Sequence, residues 1–142
     1  MILVDANLLI YAVDRDAPRH QPARRWFEQA VSSEEGVGLA WVVILAFLRL
    51  TTRAGVLRQP LDPDAALAYV DEWLARPTVE AVAPGPRHWP ILHNLLKASG
   101  TVGNLASDAH LAAMAIERGC PVYSTDHDFA RFGGIEHVNP IA

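Results

Sequence analysis

The chain has 142 residues, enough for one domain with its own core and no need of disulfide or metal staples. Hydrophobic residues at 51% and charged residues at 20% exclude a disordered chain. A net charge of −4 excludes the broad basic face that coats nucleic acid by electrostatics alone, although a bound divalent cation and a local arginine patch can reverse the field at one site.

Cys120 is the only cysteine, so there is no intramolecular disulfide and no cysteine zinc cluster. It sits where a small apolar residue fits, not where a catalytic thiol would. Lys97 is the only lysine. In an Ala- and Arg-rich chain this reflects coding bias before it reflects phosphate binding. The longest apolar run, residues 37–50, is short and broken by Arg49, so no transmembrane helix is expected. The chain starts directly on a strand with no basic leader, and the expected location is cytoplasmic.

Residues 1–5 hold no polar side chain before Asp5 and predict a strand buried on both faces, as at the centre of a parallel sheet. Residues 7–13 begin a helix, with Asn7 placed to cap it or to reach back towards Asp5. After a polar break at 14–19, Pro22 suits the first turn of a second helix, whose apolar face carries Trp26, Phe27, Ala30 and Val31. Residues 36–40 form a short strand. Residues 41–52 form a largely apolar helix, closed by Arg53, Ala54 and Gly55.

A loop over 56–63 leads to Asp62-Pro63-Asp64, a cap residue and a first-turn proline that start the next helix. Its apolar stripe is Leu67, Val70 and Leu74, flanked by Tyr69 and Trp73. Residues 78–82 are the third strand, 87–99 a helix with Pro90 in its first turn, and 100–103 a flexible turn. Leu105, Leu111, Ala112, Ala115 and Ile116 then recur at helical spacing, with Asp108 in the first turn, where negative charge is favoured. Gly119 and Pro121 stop that helix. Residues 121–124 read as a buried strand, Thr125-Asp126-His127-Asp128 as the loop at its end, and 135–138 as an edge strand after Gly133-Gly134. The alternation predicts an α/β fold with a mainly parallel central sheet covered by helices. With no linker or repeat, residues 1–142 form a single domain.

In open α/β sheets, ligands sit just beyond the carboxyl ends of strands. That places Asp5, Asp126 and Asp128 at one edge, where Asp108 can join them from a helix start. A lone aspartate at a strand end is as often a cap as a metal ligand, so the case rests on the set. Clustered carboxylates raise one another's pKa unless a cation neutralises them. An all-oxygen set favours Mg²⁺ or Mn²⁺ over zinc. His110 does not share a helical face with Asp108 and reads as structural, while His127 faces solvent. Trp26, Trp41, Trp73 and Trp89 lie on or beside helices and read as core or subunit packing before base stacking. The chain has no phosphate-binding loop, dinucleotide fingerprint or nucleophile elbow. A phosphoaspartyl transferase would want a second aspartate where Asn7 stands.

Three motifs, in this order, carry a resemblance over essentially the whole chain: Val4-Asp5-Ala6-Asn7; Asn104 with Ser107-Asp108-Ala109-His110-Leu111-Ala112; and Ser124-Thr125-Asp126-His127-Asp128-Phe129. Together they resemble the PIN-domain family, and within it the VapC-type toxins of bacterial toxin–antitoxin pairs. The resemblance implies a three-layer α/β/α sandwich and a Mg²⁺- or Mn²⁺-dependent endoribonuclease. It also implies a homodimer and inhibition by a small VapB-like antitoxin. It places Asp5 and Asp108 as the principal metal and catalytic carboxylates and Asp126 as the third, often through water, with Thr125 and Asp128 in support.

One departure stands out. The family pattern has a glutamate in the helix after the second strand, and the nearest match here is Ala46, within Ile44-Leu45-Ala46-Phe47-Leu48-Arg49. Loss of that carboxylate is expected to weaken metal affinity or displace the water it would orient. Arg49 and Arg15 are candidates for holding the RNA backbone, weighed against ordinary surface charge. The rival to the nuclease is a catalytically weak or inactive PIN-like module that binds RNA or protein. A small phosphotransferase or phosphatase is the third reading.

Overall fold

The computed structural model describes residues 1–142 and places the first strand, β1 (Ile2–Val4), at the middle of a five-stranded sheet. The other strands are β2 (Val37–Ala40), β3 (Val79–Val82), β4 (Val122–Tyr123) and β5 (His137–Val138), in the order β3-β2-β1-β4-β5. Every pairing is parallel, with Ile2 opposite Val37 on one side of β1 and Leu3 opposite Val122 on the other. Gly38 lets β2 lie this close to β1: a Cβ there would sit 2.6 Å from the buried Leu3 side chain and 2.8 Å from Met1 Sδ.

Parallel neighbours need crossovers, and six helices supply them. They are α1 (Ala6–Val13), α2 (His20–Val31), α3 (Trp41–Thr52), α4 (Pro63–Ala75), α5 (His88–Ser99) and α6 (Ala106–Arg118). Helices α1 to α4 pack on one another, while α5 and α6 form a pair of their own. Strands β1 and β2 are buried at every residue, so both faces of the sheet are covered and the fold is a three-layer α/β/α sandwich. No helix is long and apolar enough to cross a membrane.

Local chemistry explains most boundaries. Gly119, at φ 67°, takes the left-handed cap that ends α6, and its N–H returns to the carbonyls of Ala115 and Ile116. Helix α4 starts with Pro63 in its first turn, but the Asp62 side chain makes no capping hydrogen bond, so the proline alone marks that start. The buried stripe of α4 is also rotated from the expected one. Ala66, Val70 and Trp73 face inward, and Leu67 is 51% exposed. Trp73 takes the interior because its ring meets Phe47 at 4.8 Å and Phe27 at 5.5 Å, far more apolar area than Leu67 could bury.

The α5–α6 pair is latched through a carboxylate. Glu117 accepts the N–H groups of Gly85 and Arg87 at 2.8 Å each, and the Arg87 guanidinium donates to the Glu117 carbonyl at 2.9 Å. Desolvation pushes the Glu117 carboxyl up, but the two amide hydrogen bonds outweigh it and hold the group below its ordinary value. A Cβ at Gly85 would lie 2.5 Å from the Glu117 carboxylate, so a larger residue there would push that carboxylate off the two amides.

Candidate active site

The chain runs from β1 to β2 to β3 on one side, then returns to lay β4 against the other side of β1. Ligand crevices open where an α/β sheet reverses in this way, beyond the carboxyl ends of the two strands that flank the switch. Asp5 follows β1 directly, Ser124 and Asp126 follow β4, and the first turn of α6 delivers Asp108.

Local hydrogen bonds hold these groups. Asp5 caps α1, its Oδ1 accepting the Ala6 N–H at 2.8 Å. Its Oδ2 accepts from the Ser124 hydroxyl at 2.7 Å and from Asn7 Nδ2 at 3.3 Å. Asn7 therefore reaches back and does not cap. The Asn7 amide also donates to Ser124 Oγ at 3.1 Å and accepts the Thr125 N–H at 3.4 Å. Ser124 Oγ further accepts the Asp126 N–H at 3.0 Å, and Asp126 Oδ1 accepts the Asp128 N–H at 2.9 Å. The Ser124 hydroxyl is fully buried, and its one donor and two acceptor positions are all used. Its own carbonyl accepts from His137 Nε2 at 2.9 Å. In the sequence Ser124 stands as a strand end and as the first residue of the third motif, without a role of its own. A serine followed immediately by Thr-Asp at a strand terminus was the available signal for a side chain that ties turn amides.

Carboxylate oxygens of Asp108, Asp126 and Asp128 lie within 4.8 Å of one another. Asp128, expected only in support, is a full member of this tight group. Asp5 adjoins it, sharing Ser124 with Asp126 and a cleft with Asp108. Burial, then the neighbouring charges of Asp126, Asp5 and Asp128, push the Asp108 carboxyl up to about 7, and the hydrogen bond that protonated Asp108 donates to the Asp126 carboxylate favours the protonated form. Burial also raises Asp5, opposed by its bonds from Ser124 and Ala6; Asp126 adds to the rise and His137 counters it. The one salt bridge to any of the four is Arg131 Nε to Asp128 Oδ1 at 3.6 Å, between exposed side chains. The donor set is all carboxylate and short of positive charge, and it suits a hard divalent cation.

A cleft of about 400 Å³ opens beside Asp5 and Asp108, between α1, α3 and α6. Ala46 and Arg49 both line it, so the position expected to hold a glutamate is part of the site wall and is apolar. Arg15 is elsewhere. It lines a separate cleft of about 440 Å³ between α1, α2 and α4, which shares no residue with the carboxylate site. There Arg24 and Arg76 are already paired with Glu28 and Glu72, at 3.3 Å and 3.4 Å.

His127 is exposed, and His110 is structural. His110 Nδ1 lies 2.9 Å from His88 Nε2, and burial, then the His88 ring, lower its pKa. His88 Nδ1 is buried without a partner, which favours the tautomer that donates from Nε2 to His110. Of the tryptophans, Trp73 is core and Trp26 stacks on Tyr123 at 5.6 Å, while Trp41 and Trp89 are 49% and 65% exposed.

Residues 2–135 match the PIN domain. Ribonuclease VapC37 of Mycobacterium tuberculosis is 45% identical over 142 residues, covering 100% of this chain and 99% of that protein. Ribonuclease VapC33 of the same organism is 41% identical over 141 residues, covering 99% of each. Solved structures share the fold at lower identity. VapBC2 from Rickettsia felis, bound to a DNA fragment from its promoter, aligns with a TM-score of 0.72 at 16% identity over 98% of both chains. Mycobacterium tuberculosis VapC20, a toxin that cleaves the sarcin–ricin loop, aligns at 0.65 and 20% identity over 96% of this chain and 98% of that one. Matched along its whole length by these relatives, and built on the same sandwich, the chain belongs to the PIN-domain family, in its VapC group.

Proposed function

We propose that this protein is a divalent-cation-dependent endoribonuclease and the toxin of a toxin–antitoxin pair. The observation that carries the reading is the convergence of four carboxylates at the strand switch point, two of them held above their ordinary pKa with no lysine or arginine among them to neutralise more than Asp128. Asp5, Asp108 and Asp126 hold the cation, Mg²⁺ or Mn²⁺, and Asp128 supplies the carboxylate that Ala46 lacks. When bound, such a cation offers Lewis acidity toward a phosphodiester and eases deprotonation of a water.

The chain's own residues do the rest. Ser124 and Asn7 fix the Asp5 carboxylate in one orientation and tie it to the loop that bears Asp126. Asp108, protonated in the metal-free site up to about pH 7, gives up that proton when the cation binds. The side chains of Ile10, Leu45 and Leu111 make one side of the site apolar.

The relatives named as ribonucleases support the RNA substrate, and the structural neighbour solved as a toxin–antitoxin complex supports a small VapB-like antitoxin as partner. Exposed Trp89 on α5 offers apolar surface for a homodimer. The same reading places the protein in the cytoplasm, with its RNA.

The test is cleavage of a broad RNA pool by purified, antitoxin-free protein in Mg²⁺, Mn²⁺ or EDTA, beside Asp5→Asn and Asp108→Asn. We expect metal-dependent cleavage that falls about 100-fold or more in each variant. Full activity in either variant at saturating metal would remove the assignment. The apolar Ala46 favours one second reading, a PIN-like module that binds RNA or protein without turnover. Folded protein that cuts nothing in any metal would select it.

A further inference from the structure

We propose that the cleft over Ala46 is a subsite for one unstacked nucleobase of the RNA, beside the phosphate that meets the carboxylates, with Arg49 on the adjoining phosphate. This rests on the ribonuclease reading and adds to it a means of choosing where the strand is cut. The cleft is about 400 Å³, in the range of small-ligand pockets, and suits one nucleotide and not a duplex.

Its lining sets Asp5 and Asp108 beside the aliphatic side chains of Ile10, Leu45, Leu50 and Leu111, and Arg49 is its only cation. An occupant that satisfies this lining has a flat apolar part for the walls and an anionic part for Arg49, next to a group that the carboxylate site acts on. A nucleotide within a single strand has that composition, and proteins that read RNA sequence bind single strands whose bases are splayed out of the stack.

Ala46 keeps the slot open. An acidic side chain at that position would fill the wall and add a negative charge where phosphate must approach. Leu45 carries the second observation. It is 61% exposed at the cleft, although its helix has a buried face on which to place a leucine. Trp41, four residues earlier and therefore on the same side of α3, is 49% exposed. Together they make an apolar strip that leads from the cleft, on which the next base can lie.

The experiment uses antitoxin-free protein and a single-stranded RNA oligomer cut by the wild type, either intact or with one abasic ribose on either side of the cut. Binding is read by fluorescence anisotropy in EDTA, and kcat/KM is read in Mn²⁺. One abasic position is expected to weaken both by on the order of 10- to 100-fold in the wild type. The same change is expected to cost little further in Ala46→Leu, which narrows the cleft, or in Leu45→Ala, where the exposed position leaves folding intact. Mn²⁺ binding in both variants should match the wild type.

The subsite is refuted if abasic and intact oligomers behave alike, or if the abasic penalty survives in both variants. It is also refuted if Ala46→Glu raises Mn²⁺ affinity and kcat/KM together, since the cleft would then be an open ligand position. Variants that handle RNA normally but escape inhibition by the antitoxin would assign the cleft to a protein partner instead. Absence of RNA cleavage by the wild type would be a failure of the ribonuclease reading, and anisotropy in EDTA with an abasic position moved along the tightest-binding single strand would still decide the subsite.

Discussion

Ser124→Ala should be the most informative single substitution, because one hydroxyl serves three partners at the base of the site. Its removal leaves Asp5 Oδ2 without its shortest bond, 2.7 Å, and leaves Asn7 Nδ2 and the Asp126 N–H without their acceptor at 3.1 Å and 3.0 Å. The hydroxyl is fully buried, so water does not replace it directly. A buried polar group that loses its partner costs roughly 1–3 kcal/mol, and Asn7 keeps its second contact with Asp5, so the sum should be about 2–4 kcal/mol and not three full penalties. For a domain of this size that corresponds to a fall in Tm of about 6–15 °C.

The functional loss should exceed what unfolding explains. The Asp5 carboxylate loses the bond that opposes its burial, so its pKa rises further and Mn²⁺ affinity falls. Thermal melts and Mn²⁺ titration on folded protein at 20 °C measure the two effects separately. A melting point within a degree of the wild type, with unchanged Mn²⁺ binding, would show that the Ser124 network does not hold the site.

Four further outcomes are expected. Asp108 carries a proton up to about pH 7 in the native protein, against an ordinary value of 3.8, so the metal-free native state binds more protons than the unfolded chain between those limits. Its contribution therefore falls as pH rises through that window, and Asp108→Asn should gain in Tm relative to the wild type between pH 4 and pH 7 in EDTA; parallel profiles would contradict this. Because the cation must displace that proton, Mn²⁺ affinity in the wild type should rise towards pH 7 and then level off, and a flat titration curve would place the proton elsewhere. Gly85→Ala drives a Cβ against the Glu117 carboxylate and should cost about 1–3 kcal/mol in chemical denaturation, with RNA cleavage by the folded protein preserved. His137→Phe removes the donor to the Ser124 carbonyl and should lower Mn²⁺ affinity, whereas His137→Gln, whose amide can reach the same acceptor, should recover part of it; equal loss in both would show that this bond does not hold the site.

Much of the candidate site was legible because its residues announce themselves locally. Asp5 ends an unbroken apolar strand, Asp126 and Asp128 follow another, and Asp108 sits in a first helical turn; the parallel-sheet pattern then brings all of them to one edge. Their ranking was not legible. Asp128 joins Asp108 and Asp126 within 4.8 Å, because the turn that bonds Asp128 N–H to Asp126 folds the loop back on itself. The two candidate arginines had equal standing in the chain, yet Arg49 lines the carboxylate cleft while Arg15 lies in the other one.

Periodicity and strand-end chemistry are properties of neighbours in the chain, and from them alone come the alternating α/β order, the central buried strand and the set of aspartates. Contacts across the fold are another matter. The bond from Ser124 to Asp5 spans 119 positions and the His88–His110 contact 22, and neither has a one-dimensional signature. The choice of Trp73 over Leu67 for the interior of α4 depends on Phe47 and Phe27, which reach it from α3 and α2. These were decided only when the elements packed, because burial and hydrogen-bond saturation depend on which surfaces meet.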